Sequence, residues 1–136
     1  MGRIIGFALL LACGAVQASN WVQVGTGNDG NKVSVDTSSI TITGAIRQAW
    51  LKMTFPPRTH PGLGEDASKW MDYNLNHAAF NCSESTSKSD ALTDYYDDGT
   101  SHKVPSEDLS GDRWEPVPSN TALQTVMNFV CAWKPY

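Results

Sequence analysis

Residues 71–82 read MDYNLNHAAFNC, and the architecture turns on how they are parsed. Met71, Tyr73 and Leu75 are apolar on odd positions, and Asp72, Asn74 and Asn76 between them are polar. Alternation with period two and aromatic content marks a half-buried strand, because successive side chains point to opposite faces. After His77 the apolar set moves to Ala78, Phe80 and Cys82. One extra residue in a strand reverses the parity in this way, so a β-bulge or bend is expected near Asn76–Ala78.

Where Cys82 leads depends on the compartment. The chain opens MGRIIGFALLLACGAVQASNW, with Arg3 ahead of an apolar run from Ile4 to about Ala12. That run is shorter than the roughly 20 apolar residues a membrane-spanning helix needs. A charged start, a short apolar core and a small-residue exit describe a secretory leader. Val16 and Ala18 suit the two subsites a signal peptidase reads, so cleavage is expected between Ala18 and Ser19. The organisation is then a leader over 1–18 and a single domain over 19–136, which is 136 − 18 = 118 residues. A second reading of the same start is a bacterial lipobox in LLAC, residues 10–13, with Cys13 lipidated as the new N-terminus. Both routes carry the domain out of the cytosol. Cys82 and Cys131 remain as an even pair, and in an exported chain such a pair is expected to form a disulfide. They lie 131 − 82 = 49 positions apart, and closing such a loop is worth about 4 kcal/mol in unfolded-chain entropy.

Cys131 sits in SNTALQTVMNFVCAWKPY, where Leu123, Val126, Met127, Val130 and Cys131 recur at helical spacing. Thr121 with Gln124 makes a capping box and Pro135 ends the run, so a helix of roughly 12 residues is expected. The first half of the chain alternates instead: Val22 and Val24, Val33 and Val35, Ile40 and Ile42, then Ala49, Leu51, Met53 and Phe55. Asn28-Asp29-Gly30 and Asp97-Asp98-Gly99 are hairpin turns, because glycine accepts the positive φ they need. Residues 83–90, SESTSKSD, read as a polar loop before a strand in ALTDYY. The expected fold is α+β: a single antiparallel sheet of about five to six strands, a C-terminal helix packed on one face, and one disulfide joining them.

The chemistry-bearing patterns are weak beside this frame. GTGNDG matches a dinucleotide-binding fingerprint in letters, but NKVSVD after it alternates like a strand where that site needs a helix. DYYDDGTSHKVP places Asp94 and Asp98 as in a calcium loop, yet Tyr96 and Pro105 occupy ligand positions. On a strand His77 and Cys82 stand roughly 16 Å apart, so the histidine is not the base for that thiol. His60 and His102 are the remaining partners for a catalytic Cys82. Two cysteines and three scattered histidines lack the paired spacings of structural zinc. A serine triad has its residue types but no G-x-S-x-G turn. Without Arg3 the domain has nine basic and fourteen acidic residues, a net charge of 9 − 14 = −5. Such a balance argues against nucleic acid and anionic membranes as partners. No catalytic residue, metal or cofactor is expected.

The order of Trp21, VSVDTSSI, a strand centred on Trp50, FNCSES, YYDDG, RWEPVPSN and a final helix carrying Cys131 resembles the surface-adhesin protein E family of Gram-negative bacteria. The resemblance implies an antiparallel sheet with a C-terminal helix held on its concave face by a Cys82–Cys131 bridge. It also implies an exported, non-enzymatic module that binds a protein partner, a host matrix or plasma protein. The alternatives are a periplasmic envelope protein with an internal partner and a small secreted enzyme. Localisation follows as periplasm or outer-membrane surface, the periplasm being the nearer fit, with a lipid anchor only if Cys13 is modified. The mature chain should hold no transmembrane segment. The binding candidates are Arg58, His60, Lys69 and Trp70, in and beside the long loop PPRTHPGLGEDAS.

Overall fold

The computed structural model describes residues 18–27 and 29–135. The expected leader as far as Gln17, Cys13 with it, and Asn28 of the first hairpin turn lie outside the described residues. Ala18 and Ser19 are exposed and precede the first strand. The strands are β1 (Trp21–Thr26), β2 (Lys32–Asp36), β3 (Thr41–Thr43), β4 (Ile46–Thr54), β5 (Met71–Asn81), β6 (Thr86–Tyr96), β7 (Ser101–Lys103) and β8 (Glu115–Pro116), followed by the helix α1 (Ala122–Ala132). All pairings are antiparallel, and the order across the sheet is β1-β2-β4-β5-β6-β7. Gly30 at φ +78° and Gly99 at φ +85° close two of the hairpins.

The strand count is a correction: eight strands form the sheet, not five to six. Two positions across it are each shared by two short strands. β2 pairs Leu51–Thr54 of β4, and β3 pairs Ile46–Gln48 along the same edge. A 3₁₀ turn, Thr37–Ser39, separates them, and the Ser39 hydroxyl accepts the Trp50 N–H at 2.9 Å. The interrupted ladder therefore leaves that amide satisfied. β7 and β8 share β6 in the same manner. The turn itself is organised by Asp36, which is 6% exposed. Its Oδ1 accepts the N–H groups of Asn20 and Ser38 and the Ser38 hydroxyl, at 2.9, 3.1 and 2.6 Å. Burial alone would raise this carboxyl's pKa; the bonds from Ser38 and Asn20 outweigh it and hold the pKa below the ordinary value.

The parity change in β5 has a different origin from the one expected. β5 pairs β4 without a register shift from Asn81 to Tyr73, so the strand keeps its alternation. The extra residue is on β6: His77 faces Ala91 while Ala78 faces Ser89, and Asp90 between them is unmatched. The sequence pattern marks the right level of the sheet and the wrong strand. Tyr73 and Leu75 are apolar on the face away from the helix, and Ala78 and Phe80 are apolar toward it; a further register shift at Asp72 separates Met71, opposite Tyr96, from that alternation. SESTSKSD is a second correction, because only its first residues turn and Thr86–Asp90 is strand. Polar residues are tolerated there because part of this segment's outer edge carries only the two-residue β8.

The core lies between one sheet face and α1. Val33, Val35, Ala49, Leu51, Ala78 and Phe80 meet Val126, Met127 and Val130, all 6% exposed or less. Thr121 caps the helix, its hydroxyl accepting the Gln124 N–H at 3.2 Å. The far end is fastened twice. Cys82, just past β5, is bonded to Cys131, with 5.7 Å between the Cα atoms. Arg47 on β4 donates from Nη1 to the carbonyls of Val130, at 2.9 Å, and Trp133. The Val130 carbonyl also accepts the Trp133 N–H that ends the helix, and a cation at this end meets the negative end of the helix dipole.

Two measurements check this account. Arg47→Ala should lower unfolding stability by about 1–3 kcal/mol in denaturant melts, whereas Arg47→Lys recovers part of that loss. The folded-state pKa of Asp36 is depressed, so its stabilisation is present above the unfolded value and is lost as pH falls through the folded one. Asp36→Asn should therefore destabilise the domain near neutrality and flatten the stability–pH curve below about pH 4.

Candidate functional site

The long loop after β4 is a folded hairpin. Pro61 and Trp70 form an isolated antiparallel bridge, the Gly62 N–H reaches the Lys69 carbonyl at 2.9 Å, and the Met71 N–H reaches that of His60 at 2.8 Å. A 3₁₀ turn at Gly64–Asp66 closes its tip. Gly62 is required by close approach: a Cβ there would strike the Asp66 carbonyl oxygen and come within 2.9 Å of the Tyr96 ring. Lys69 lies 3.3 Å from Asp66 and 3.7 Å from Asp98, and donates to the Thr100 hydroxyl at 2.9 Å. Tyr96 donates its hydroxyl to Asp66 at 3.2 Å, and burial together with that bond pushes its pKa up to about 12.

The four candidates separate in this geometry. Lys69 is engaged by Asp66 of the loop and by Asp98 and Thr100 of the β6–β7 hairpin. His60 packs its ring 4.7 Å from Phe55 and hydrogen-bonds Thr59. Trp70 is half-buried in the bridge. Arg58, exposed at φ +56°, has no ion pair among the described residues. The charge pattern passed over Leu63, a large apolar side chain 87% exposed at the loop tip. Its flanking glycines, Gly62 and Gly64, are the sequence signal for a projecting tip.

A second surface is the sheet face turned away from α1. Residues directly opposite in an antiparallel pair share a face, so the registers define rows across the sheet. One row runs Lys32, Thr54, Tyr73, Tyr95, Ser101, and the next runs Ser34, Lys52, Leu75, Thr93, Lys103. Tyr73 and Tyr95 stack at 4.5 Å, and the Lys52 ammonium sits 4.4 Å from the Tyr73 centroid and 6.0 Å from that of Trp21. Below these rows the Trp50 ring lies 5.0 Å from that of His77, whose Nδ1 is 2.7 Å from Asp90 Oδ1. The bulge at Asp90 is what brings its carboxylate to this histidine.

Cys82 is a half-cystine, His77 is held by Asp90, and His60 by its neighbour Thr59. His102 faces Asp94 across β6 and β7, where burial pushes the Asp94 carboxyl's pKa up against the opposing pull of His102. Among the described residues no three His, Cys, Asp or Glu side chains converge as a metal site. Nor is any helix of the described residues long and apolar enough to cross a membrane. A cavity of about 90 Å³ lies between α1 and the sheet, and the Asn76 Oδ1 beside it is buried without a partner.

Comparison with known families matches residues 21–132 to one family, described as Surface-adhesin protein E. The match spans every strand and helix of the domain. No curated protein matches the chain.

The loop's rigidity is directly testable. Gly62→Ala should cost about 1–3 kcal/mol through the forced displacement of Asp66 and Tyr96, and amides of residues 62–69 should exchange faster while those of β4 and β5 keep their protection.

Proposed function

The chain belongs to the surface-adhesin protein E family, and on that premise we propose that it is an exported, non-enzymatic module that binds a protein partner outside the cytosol. A host matrix or plasma protein is the partner class this reading favours. The leader over 1–18, with cleavage between Ala18 and Ser19, delivers it. The observation that carries the contact surface is Leu63, a large apolar side chain 87% exposed on a tip held by internal hydrogen bonds. A side chain held in place before contact loses little entropy on binding, and an exposed arginine is a residue type favoured at protein interfaces. Arg58 supplies the cation, while Lys69, Asp66 and Tyr96 hold the tip in shape. Trp70 and His60 act as the loop's internal packing.

A photo-crosslinking residue at position 63, expressed in intact cells, should give a discrete protein adduct. The same residue at exposed Asp112 should give none. Adducts at neither position, or equally at both, would contradict a contact through this tip. Protease shaving of the same cells then assigns the compartment: cleavage at the loop places the partner outside the cell, and protection places it in the periplasm.

A further inference from the structure

The sheet face opposite α1 is charged in the reverse sense to the chain. The full sequence carries a formal net charge of −4, yet the two rows described above contain Lys32, Lys52 and Lys103 and no carboxylate. Lys88 lies on the same face, its ammonium 4.7 Å from the Trp114 ring centroid. Asp90 is bonded to His77 and Asp36 to the 3₁₀ turn, while Asp72, beside Tyr73 in the chain, is exposed and forms no ion pair among the described residues. None of the four lysines forms an ion pair among the described residues. With strands about 4.8 Å apart, the backbones of Lys52 and Lys103 stand roughly 14 Å apart, and those of Lys32 and Lys103 roughly 19 Å apart.

The other positions define the ligand's chemistry. Thr54, Tyr73, Tyr95 and Ser101 complete the first row, and Ser34 and Thr93 flank Lys52 in the second. Leu75 alone among the ten positions is neither a hydroxyl nor a lysine. The Tyr73 ring is already engaged, by Tyr95 stacked on it and by the Lys52 ammonium over it, and Trp21 beside them is 37% exposed. What the face offers is an array of hydroxyl groups, each donor and acceptor, with ammonium groups spaced along it.

We propose that this face binds an acidic polysaccharide, a sugar chain carrying sulfate or carboxylate groups. The sugar hydroxyls hydrogen-bond the serine, threonine and tyrosine hydroxyls, and the anionic groups meet the lysines. Local charge, rather than net charge, then sets the attraction, and the acidic remainder of the domain orients the chain by repelling the ligand elsewhere. The site is independent of the protein contact through Leu63 and uses different residues.

Heparin and chondroitin sulfate serve as probes. The mature domain should be retained on immobilised heparin at low ionic strength and released as salt rises, with uncharged dextran giving no retention. Lys32→Glu/Lys103→Glu, which alters two exposed side chains, should weaken binding by at least about tenfold with an unchanged thermal melt. Arg58→Glu should leave binding as it was. No retention in low salt would overturn the proposal, as would an undiminished affinity in the double variant. Equal or tighter binding of poly-L-glutamate at the same lysines would overturn it in favour of an acidic protein segment.

Discussion

The C-terminal end of α1 is fastened to the sheet by a cation and by a disulfide. Arg47, from the middle of the sheet, donates to the carbonyls of Val130 and of the cap residue Trp133, and Cys82–Cys131 fixes the same end covalently one strand away. An 11-residue helix is marginal in water on its own, so its presence depends on this anchorage and on the apolar side chains it buries. With the helix held on one face, Val126, Met127 and Val130 complete the core, and the opposite face is left to solvent. Closing the loop between the two cysteines contributes about 4 kcal/mol through the unfolded chain, a large fraction of what a domain of this size has in hand.

That division gives the two sides of the molecule different work. On the helix side the side chains are chosen for packing. At the end of the sheet, the 56–70 loop spends its charges on itself: Lys69, Asp66 and Tyr96 form a closed network whose product is a fixed tip. On the far face the aromatic rings stack against one another and against Lys52, which keeps large side chains upright where no second layer covers them. The same stacking leaves hydroxyl and ammonium groups as the outward chemistry of that face.

Much of this was legible because it depends on local pattern. Alternation located the strand that carries Trp50, the 3.6-residue period and Thr121 located α1, and an even cysteine pair in an exported chain indicated the bridge. What was not legible depends on contacts between distant residues. Arg47 lies 83 positions from Val130, and nothing in its neighbours marks it as a helix cap. The parity change at His77 is a local pattern with two physical causes, an inserted residue or a change in which face is apolar. Only the register with β4 and β6 separates them. Likewise Lys32, Lys52 and Lys103 are scattered in sequence and share a face only when the strands pair. Lys69 misled in the opposite direction, since its charge is met by Asp66 of the same loop and by Asp98 from another hairpin.

The central claim is that α1 stays on the sheet because its C-terminal end is fastened there, while the sheet is held by its own ladders. Hydrogen–deuterium exchange with and without reduction of Cys82–Cys131, in native buffer, tests it most directly. Reduction should accelerate exchange of the α1 amides, most strongly from Phe129 to Ala132, with β4 and β5 near Lys52 and Leu75 retaining their protection. Unchanged protection of α1 after reduction, or loss of protection across the sheet together with the helix, would contradict the account.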